Sequence, residues 1–313
     1  MQINQLPTPY ILTADIGGSH ITTAVCNINT NTIIPNSLIR IELSSKGFAD
    51  SILNSWYNGL RQSIEKAKLP ISGLGIAMPG PFDYENGISY ITGLNKYEAL
   101  YGMDIRQCIA EALGLDPSVI KFRNDAEATI AGEVLAGAGK GFKTVMGVTL
   151  GTGFGSALFR DNITRDLNLG SAPFKDSIAD DHLSTRWFLR NYSEASGIAI
   201  VGVKELALLA EKSPDENKIF SEAARQIFKG FAVNLTDFLS KPLQQINPDV
   251  LVICGNIAKA SRFFLPYLKK QLNSTNIQLG LLGESAALIG AAGLFESIQI
   301  SPSDNSQIIT SII

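Results

Sequence analysis

Residues 13–25 read TADIGGSHITTAV and join two strand-like runs through one acid and two glycines. They lie in residues 10–43, where apolar and polar residues alternate in short runs broken by turn signals, a pattern that is typical of β-strands. Small residues are sufficient to close a hairpin, so the turn alone does not explain the acid, Asp15. The stretch therefore predicts a β-hairpin and leaves a function to be found for Asp15.

The composition indicates a globular protein without a surface for nucleic acid or membrane. The 313 residues are 45% hydrophobic and 18% charged, which suits a sizeable core in one or two domains. Lys and Arg number 26 against 29 Asp and Glu, so the net charge is −3 and nucleic acid is not an expected partner. The sequence contains no apolar run of about 18 residues, so no membrane partner is expected either.

Three cysteines, Cys26, Cys108 and Cys254, are scattered along the chain without CxxC spacing. An odd and sparse set of cysteines fits a reducing compartment better than a disulfide framework. No signal peptide is evident at the start of the sequence. We therefore expect a cytoplasmic protein.

The order of the predicted elements indicates an α/β fold with two similar halves. Residues 10–43 predict three antiparallel strands and residues 46–68 a helix, after which strands and helices alternate. Residues 144–161 repeat the pattern of strand, glycine turn and strand. When Gly17 is aligned with Gly151, both flanks are apolar strands, which predicts a weak internal repeat and two lobes that face a cleft.

The second glycine turn lies in LGTGFGSAL, residues 150–158. The sequence contains no Walker A pattern, and this segment continues into a strand, whereas a dinucleotide fingerprint opens a helix. Backbone N–H groups at a glycine turn can converge on an anion, because no Cβ blocks its approach. An ordinary turn explains either segment alone, but two in matching positions favour phosphate binding.

A phosphate beside the first turn would be repelled by the negative charge of Asp15. A cation between the two groups removes this repulsion, and Mg²⁺ prefers carboxylate, water and phosphate oxygens as ligands. A metal bound to phosphate therefore explains Asp15 better than a turn does.

Four segments occur in the order and spacing of the ROK family of sugar kinases and related repressors. They are DIGGSH from residue 15, GIAMPGP from residue 75, NDAEATIAGE from residue 124 and VTLGTGFGSAL from residue 148. The chain resembles this family over nearly its whole length. The resemblance implies an α/β fold with two actin-like, ribonuclease H-like lobes, whose mixed five-stranded sheets flank a cleft.

The resemblance also implies a division into lobes and a branch of the family. The N-terminal lobe would hold residues 1–123 with a C-terminal helix at about 285–313, and the second lobe residues 124–284. The family's repressors carry a DNA-binding segment before the first phosphate motif, and only fourteen residues precede Asp15. We therefore expect a kinase, and a homodimer because family members are often dimeric.

The resemblance implies that both glycine turns bind ATP together with Mg²⁺. The positions that match the phosphate loops are Asp15, Gly17, Gly18, Ser19, Gly151, Thr152 and Gly153. Asp15 would also contact the Mg²⁺ ion. Gly255 in VICGNIAKA matches a glycine near the adenosine of the nucleotide.

The resemblance further implies a sugar hydroxyl as the acceptor and Asp125 as the catalytic base. Asn124 would bind a sugar hydroxyl, and Asn95 and Gly80 would also contact the substrate. Chemistry supports Asp125 independently, since phosphoryl transfer to an alcohol needs an acceptor for the hydroxyl proton. Asn124 followed by Glu127 also has the pattern of a helix cap, so capping and catalysis both remain open for this pair.

The chain departs from the family where most members carry a GELGH-like stretch and a zinc-binding cysteine cluster. Phe174 and Ser177 stand at the positions of the Glu and His of that stretch, and Ser184 stands where a sugar-binding Glu would be. Without thiolates, no structural zinc is expected. Residues 180–182, Asp-Asp-His, are more typical of a solvated charge cluster than of another metal site.

These departures leave three functions open. The first is an ATP-dependent carbohydrate kinase of the glucokinase or acetamido-sugar kinase type. The second is a sugar- or nucleotide-sensing protein derived from such a kinase, because the family's sugar-binding Glu and His are missing. The third is an actin-like ATPase that assembles with itself or a partner. Asn95 and the Asn124–Asp125 pair favour a small alcohol acceptor over this third function.

Overall fold

The computed structural model describes residues 7–211 and 218–296. Contacts divide the chain into two compact units, each built on one mixed β-sheet. Within the described residues, unit 1 runs to Lys140 and resumes at Leu282, and unit 2 lies between these positions. The mixed α/β class predicted from the sequence is confirmed. In the described ranges, no helix has the length and apolar character to span a membrane.

Unit 1 contains the first half of the predicted elements and the C-terminal helix. Its strands are β1 (Tyr10–Ile16), β2 (His20–Asn27), β3 (Thr32–Ile33), β4 (Ile39–Glu42), β5 (Gly73–Met78), β6 (Phe82–Asp83), β7 (Ile88–Ser89) and β8 (Ile120–Asn124). Its helices are α1 (Ala49–Ala67), α2 (Ile105–Leu113), α3 (Asp125–Ala136) and α9 (Ser285–Ala292). Short 3-10 helices occupy Glu98–Leu100, Pro117–Val119 and Gly293–Phe295.

The sheet of unit 1 has the order β3-β2-β1-β5-β8, and β4 also pairs with β2. β1 and β2 are antiparallel, whereas β1, β5 and β8 run parallel. The sequence predicted five strands, but the described sheet has six because β3 and β4 share one edge of β2. Between these two short strands, the Ser37 hydroxyl accepts a hydrogen bond from the Val25 N–H at 3.0 Å.

Helices cover both faces of this sheet. Successive residues of a strand point to opposite faces, so Leu12 of β1 joins the core that contains Trp56 of α1 and Ile109 of α2. Its neighbour Ile11 joins the core that contains Leu288 of α9. Asp15 is an even number of residues from Ile11, so it lies on the α9 face of the sheet.

Helices α3 and α9 cross at very short range because glycines lie at the crossing. A Cβ atom at Gly132 of α3 would lie 2.0 Å from the carbonyl oxygen of Ala286, and one at Gly290 of α9 would lie 1.8 Å from that of Ala128. Gly75 of β5 gives α9 similar room on the sheet, since its Cβ would lie 2.3 Å from the Ala291 carbonyl oxygen. No other residue type fits these three positions without moving the backbone.

This crossing explains why the contacts place the unit boundary after Lys140 and not after residue 123 as the sequence suggested. Helix α3 follows residue 124 but packs on α9, and so it stays with unit 1. The C-terminal helix expected at about 285–313 is present as α9 and its 3-10 extension to Phe295. The remainder of that prediction, from residue 297, lies outside the described residues.

Unit 2 repeats the strand and helix pattern with longer helices. Its strands are β9 (Val145–Leu150), β10 (Phe154–Arg160), β11 (Ile163–Asp166), β12 (Pro173–Phe174), β13 (Ser177–Ile178), β14 (Val250–Cys254) and β15 (Ile277–Leu279). Its helices are α4 (Ala179–Leu183), α5 (Thr185–Ser196), α6 (Val203–Glu211), α7 (Lys218–Ile246) and α8 (Leu265–Gln271). Further 3-10 helices occupy Leu169–Ser171 and Asn256–Phe263.

The sheet of unit 2 has five described strands in the order β11-β10-β9-β14-β15. Its two central pairings, antiparallel β9–β10 and parallel β9–β14, match those of β1 with β2 and β5. The turns after β1 and β9 each contain three residues, so Gly17 and Gly151 have equivalent positions in the repeat. The predicted internal repeat is therefore confirmed. Trp187 and Phe188 of α5 are buried in the core of this unit.

We expect Gly290→Ala to destabilise unit 1 by about 2–3 kcal/mol, a usual cost of overpacking, because the new Cβ would coincide with the Ala128 carbonyl group. Urea unfolding followed by circular dichroism measures the effect. Gly202→Ala is the matched control, since a Cβ there meets no described atom within 4 Å. Equal midpoints for the two variants would contradict the proposed constraint.

Candidate active site

The first glycine turn joins β1 to β2. The Gly17 N–H closes it by donating to the His20 carbonyl at 3.0 Å, and the Tyr97 hydroxyl donates to the Gly17 carbonyl. In the Cβ direction of Gly18, no described atom beyond its chain neighbours lies within 4 Å. Gly18 and Ser19 are exposed, so the turn presents an open backbone to a ligand.

Asp15 lies near the end of β1, two residues before this turn, and is partly buried. Burial is the main reason why the pKa of its carboxyl is raised to about 7, and the negative charges of Asp125 and Glu284 add to the effect. The positive charge of Arg40 lowers the same pKa. Asp125 and Glu284 are therefore each close enough to Asp15 to repel its negative charge, which favours the protonated form of Asp15.

Asn124 ends β8 and caps α3. Its Oδ1 accepts hydrogen bonds from the backbone N–H groups of Ala126 at 2.9 Å and Glu127 at 3.2 Å. Its Nδ2 lies 3.3 Å from the Tyr84 hydroxyl, to which it donates. The sequence left both capping and catalysis open for the Asn124–Asp125 pair, and capping by Asn124 is confirmed. Capping uses only the Oδ1 atom, so Nδ2 is left to contact the Tyr84 hydroxyl.

Asp125 is the first residue of α3 and retains some exposed surface. Burial raises the pKa of its carboxyl, while the N–H of Ala126 and the positive charge of Lys96 lower it. A carboxylate whose pKa is raised is a stronger base than an ordinary Asp. Lys96 was not predicted, because a single lysine in a loop has no sequence pattern of its own.

The proposed substrate residues Gly80 and Asn124 lie close together at Tyr84. A Cβ at Gly80 would lie 3.3 Å from the Tyr84 hydroxyl, and the same hydroxyl accepts the Asn124 hydrogen bond and donates to the Met78 carbonyl at 3.0 Å. Asn95 is exposed in a separate loop. The sequence analysis did not predict Tyr84 as a site residue. Its one feature in the sequence that could have indicated the site is its place three residues after the GIAMPGP segment.

The loop of Asn95 is fixed locally. Asn95 has a left-handed backbone, with φ of 55°, and its N–H donates to Glu98 Oε1 at 3.0 Å. The following residue, Lys96, is the one whose charge acts on Asp125. The loop therefore contributes a charge to the surroundings of Asp125 through Lys96.

The second glycine turn, in unit 2, is held by side chains from α4 and α5. The Gly151 N–H donates to the Gly153 carbonyl at 3.0 Å. The backbone N–H and the hydroxyl of Thr185 both donate to the Gly151 carbonyl, at 2.8 and 2.9 Å. Asp180 Oδ1 accepts from the Phe154 N–H at 2.5 Å. Asp180 therefore supports this turn, a function that the sequence did not reveal.

Gly255 follows β14 and has φ of 90°, a conformation that favours glycine. A Cβ there would lie 2.3 Å from the carbonyl oxygen of Leu150, the residue before the second glycine turn. Glycine is therefore required because the end of β14 packs directly on the end of β9. This local contact accounts for the residue type whether or not a nucleotide binds nearby.

The segment that replaces the GELGH-like stretch is largely structural. Ser184 is fully buried, and its hydroxyl makes no hydrogen bond to any described residue. Phe174 packs edge-on against the buried His182 at 5.5 Å between ring centroids. His182 Nε2 lies 3.1 Å from a carboxylate oxygen of Asp176, although not in hydrogen-bonding geometry. Ser177 donates to Asp181.

The acidic residues near His182 form ion pairs. Arg186 contacts Asp180 and lies 3.6 Å from Asp181. In the described part of the chain, no group of three or more His, Cys, Asp or Glu side chains is arranged to hold a metal ion. Asp180 and Asp181 therefore pair with Arg186, but His182 is buried, so residues 180–182 are not the solvated charge cluster that the sequence predicted, and Asp180 supports the second turn.

Both glycine turns and the Asn124–Asp125 pair lie within one segment that matches a known family. Residues 11–172, more than half of the chain, match the ROK family. The chain belongs to the ROK family. The resemblance stated from the sequence motifs is thereby confirmed.

Relatives of this ROK protein include named sugar kinases. It is 24% identical over 260 residues to the glucokinase of Thermotoga maritima, covering 71% of this chain and 78% of the relative. It is 24% identical over 319 residues to the N-acetyl-D-glucosamine kinase of Mannheimia succiniciproducens, covering 90% and 97%. The structure of a ROK family glucokinase from Streptomyces griseus with glucose and AMPPNP matches with a TM-score of 0.72 at 20% identity, covering 91% and 98%. This likeness establishes the shared fold.

We expect Asp15→Asn to stabilise the protein at pH 8 and to leave its stability unchanged near pH 4. The folded chain raises the Asp15 pKa from 3.8 to about 7, so the folded state loses stability as the pH rises between these values. Asn does not ionise and avoids this loss, which is worth up to about 4 kcal/mol above pH 7. Urea unfolding at several pH values measures it.

Asp83→Asn is the contrasting control for this pH series. Hydrogen bonds from Asn86 lower the pKa of the Asp83 carboxyl, so this ionised group stabilises the folded chain above its unfolded pKa. Asp83→Asn should therefore be less stable than the wild type at pH 8 and equal to it at low pH. A stability difference for Asp15→Asn that did not change with pH would contradict the raised pKa.

Proposed function

We propose that this ROK protein transfers the terminal phosphoryl group of ATP to a hydroxyl of a sugar. The observation that supports this most is the proximity of Asp125 to Asp15, since the charge of Asp125 helps to raise the Asp15 pKa. Phosphoryl transfer needs a proton acceptor beside the place where phosphate and metal bind. The names of the relatives, glucokinase and N-acetyl-D-glucosamine kinase, agree with a sugar acceptor.

In this proposal Asp125 is the general base. Its carboxylate accepts the proton of the attacking hydroxyl while the new O–P bond forms and the bond between the terminal phosphorus of ATP and its bridging oxygen breaks, which releases ADP. The burial that raises its pKa increases its basicity, and the Ala126 N–H and the positive charge of Lys96 oppose this rise. General base assistance of this kind is typically worth about 10²–10⁴-fold in rate.

We assign recognition of the sugar hydroxyls to Asn95, Asn124 and Gly80. The Oδ1 atom of Asn124 is engaged in capping α3, so its Nδ2 group beside the Tyr84 hydroxyl is the part that can serve a substrate. Gly80 borders the same hydroxyl and presents no side chain. Tyr84 therefore joins the proposed substrate residues as their common neighbour.

We assign the nucleotide to the two glycine turns. The proposed residues are Gly17, Gly18, Ser19, Gly151, Thr152 and Gly153, with Gly255 near the adenosine. The open approach at Gly18 fits phosphate oxygens, and the negatively charged surroundings of Asp15 fit Mg²⁺. When bound, Mg²⁺–ATP supplies the phosphoryl group and neutralises the charge that develops on it.

A second candidate is a sensor that binds sugar or nucleotide without turnover. It is favoured by the segment that replaces the GELGH-like stretch, where Ser184 is fully buried and Phe174 packs on His182. Neither residue presents a carboxylate or an imidazole to a sugar. A site that has lost such hydrogen-bonding partners binds a different substrate or binds the same one weakly.

We expect Asp125→Asn to lower kcat for sugar phosphorylation by about 10²–10⁴-fold, because the amide cannot accept the hydroxyl proton. A coupled assay of ADP release across hexoses, acetamido sugars and sugar acids measures the rate. ATP binding, followed by calorimetry, should persist because Asn keeps the shape of the side chain.

Asp116→Asn is the matched control for this variant. Asp116 is an exposed acid at the opposite end of β8, and its carboxylate accepts the Ser118 N–H at 2.8 Å. It should keep full activity. Full activity in Asp125→Asn would remove the proposed base, whereas wild-type protein that binds ATP but phosphorylates no sugar of the panel would support the sensor.

A homodimer, which the resemblance to the family implies, and a cytoplasmic location, which the sparse cysteines favour, complete the proposal. We expect multi-angle light scattering of the purified protein to give twice the mass of one chain. A mass equal to one chain over the micromolar range would contradict the dimer without affecting the proposed reaction.

A further inference from the structure

A cavity of about 540 Å³ opens beside the first glycine turn, within unit 1. It is lined by residues of the turn, of the start of β2, of β4 and of the two positions after β4. These residues are Ser19, His20, Arg40, Glu42, Leu43 and Ser44. The Leu43 N–H donates to the Ser19 carbonyl at 2.9 Å, which ties the end of β4 to the turn. The proposed phosphate-binding turn therefore has a side wall that carries an arginine.

The sheet register places this arginine on the same face as Asp15. Asp15 is paired with Thr22 across β1 and β2, and Thr22 is paired with Arg40 across β2 and β4. Residues directly opposite in neighbouring strands point to the same face, and two strand spacings amount to roughly 10 Å. An arginine side chain can cover much of that distance, and the charge of Arg40 does lower the pKa of both Asp15 and His20.

The carboxylate of Glu284 holds Arg40 in this position. Arg40 Nη1 lies 3.0 Å from Glu284 Oε2, and the two side chains are 47% and 64% exposed. Glu284 immediately precedes α9, and its side chain does not cap the helix. An exposed ion pair of this kind contributes little to stability, so Arg40 can exchange its partner at small cost.

We propose that Arg40 binds the phosphate chain of the nucleotide at the first glycine turn, and that Glu284 positions Arg40 until the nucleotide arrives. This inference rests on the proposed kinase function and adds to it a residue outside the family motifs. The turn DIGGSH contains no lysine or arginine, whereas Asp15 and the nearby Asp125 and Glu284 are acidic groups that repel phosphate when they are ionised. A guanidinium matches phosphate oxygens in a bidentate geometry and supplies the missing positive charge.

The alternative is that the Arg40–Glu284 pair only fastens β4 to the start of α9. The two interpretations predict opposite effects for Glu284→Gln. If Glu284 competes with phosphate for Arg40, its removal strengthens ATP binding. If the pair is a structural fastening, its removal loosens the site and weakens ATP binding, or leaves it unchanged.

Calorimetric titration with ATP and with AMP, in the presence of Mg²⁺, tests the proposal on the whole chain. We expect Arg40→Gln to weaken ATP binding roughly tenfold or more and to leave AMP binding unchanged, because AMP lacks the outer phosphates. Arg40→Lys should recover part of the loss. Glu284→Gln should tighten ATP binding severalfold, and most of that gain should disappear in the Arg40→Gln background.

Arg61→Gln is the matched control, since Arg61 is an exposed arginine of α1, which covers the other face of the same sheet. Its ATP affinity should equal that of the wild type, and urea midpoints verify that every variant is folded. Unchanged ATP binding in Arg40→Gln, equal losses for ATP and AMP, or ATP binding that is unchanged or weaker in Glu284→Gln would each overturn the inference. Wild-type protein that binds no ATP would instead count against the proposed kinase function.

Discussion

The candidate site of unit 1 depends on the close crossing of α3 and α9. Carbonyl oxygens of one helix occupy the space where Cβ atoms of Gly132 and Gly290 would lie. The crossing sets the start of α3, with Asp125, and the start of α9, with Glu284, within charge range of Asp15 on the sheet. Larger side chains at the glycines would separate these carboxylates and with them the proposed base and metal site.

Placing Asp15 near Asp125 and Glu284 lowers the stability of the folded chain, and a function of the site explains this loss better than a need of folding does. Charge repulsion and burial disfavour ionised Asp15, so the folded chain is less stable at neutral pH than it would be with a neutral side chain. Strongly shifted pKa values of this kind cluster at functional sites. The positive charge of the nearby Arg40 offsets part of this repulsion, and the Mg²⁺ ion of the proposed function would offset more of it.

The two glycine turns have equivalent places in the repeated topology but different supports. At the first, an acid within β1 and an arginine on β4 flank the turn. At the second, Asp180 and Thr185 from α4 and α5 bind the backbone of the turn directly. The residues that flank the first turn therefore bring charges to it, whereas those at the second turn hold its backbone in one conformation through hydrogen bonds.

The local features of this protein could be predicted from its sequence. These are the hairpins at the glycine turns, the Asn124 cap of α3, the alternation of strands and helices, and the family, because they follow from turn chemistry, periodicity and short motifs. The contacts between distant residues became visible in the folded chain alone. It placed Glu284 and Arg40 beside Asp15, Tyr84 beside Asn124, and Asp180 beside the second turn, and it split the edge of the first sheet into β3 and β4. Those contacts depend on how helices cross and how strands pair. The spacing of residues along the chain does not show which charges will act on Asp15 and Asp125.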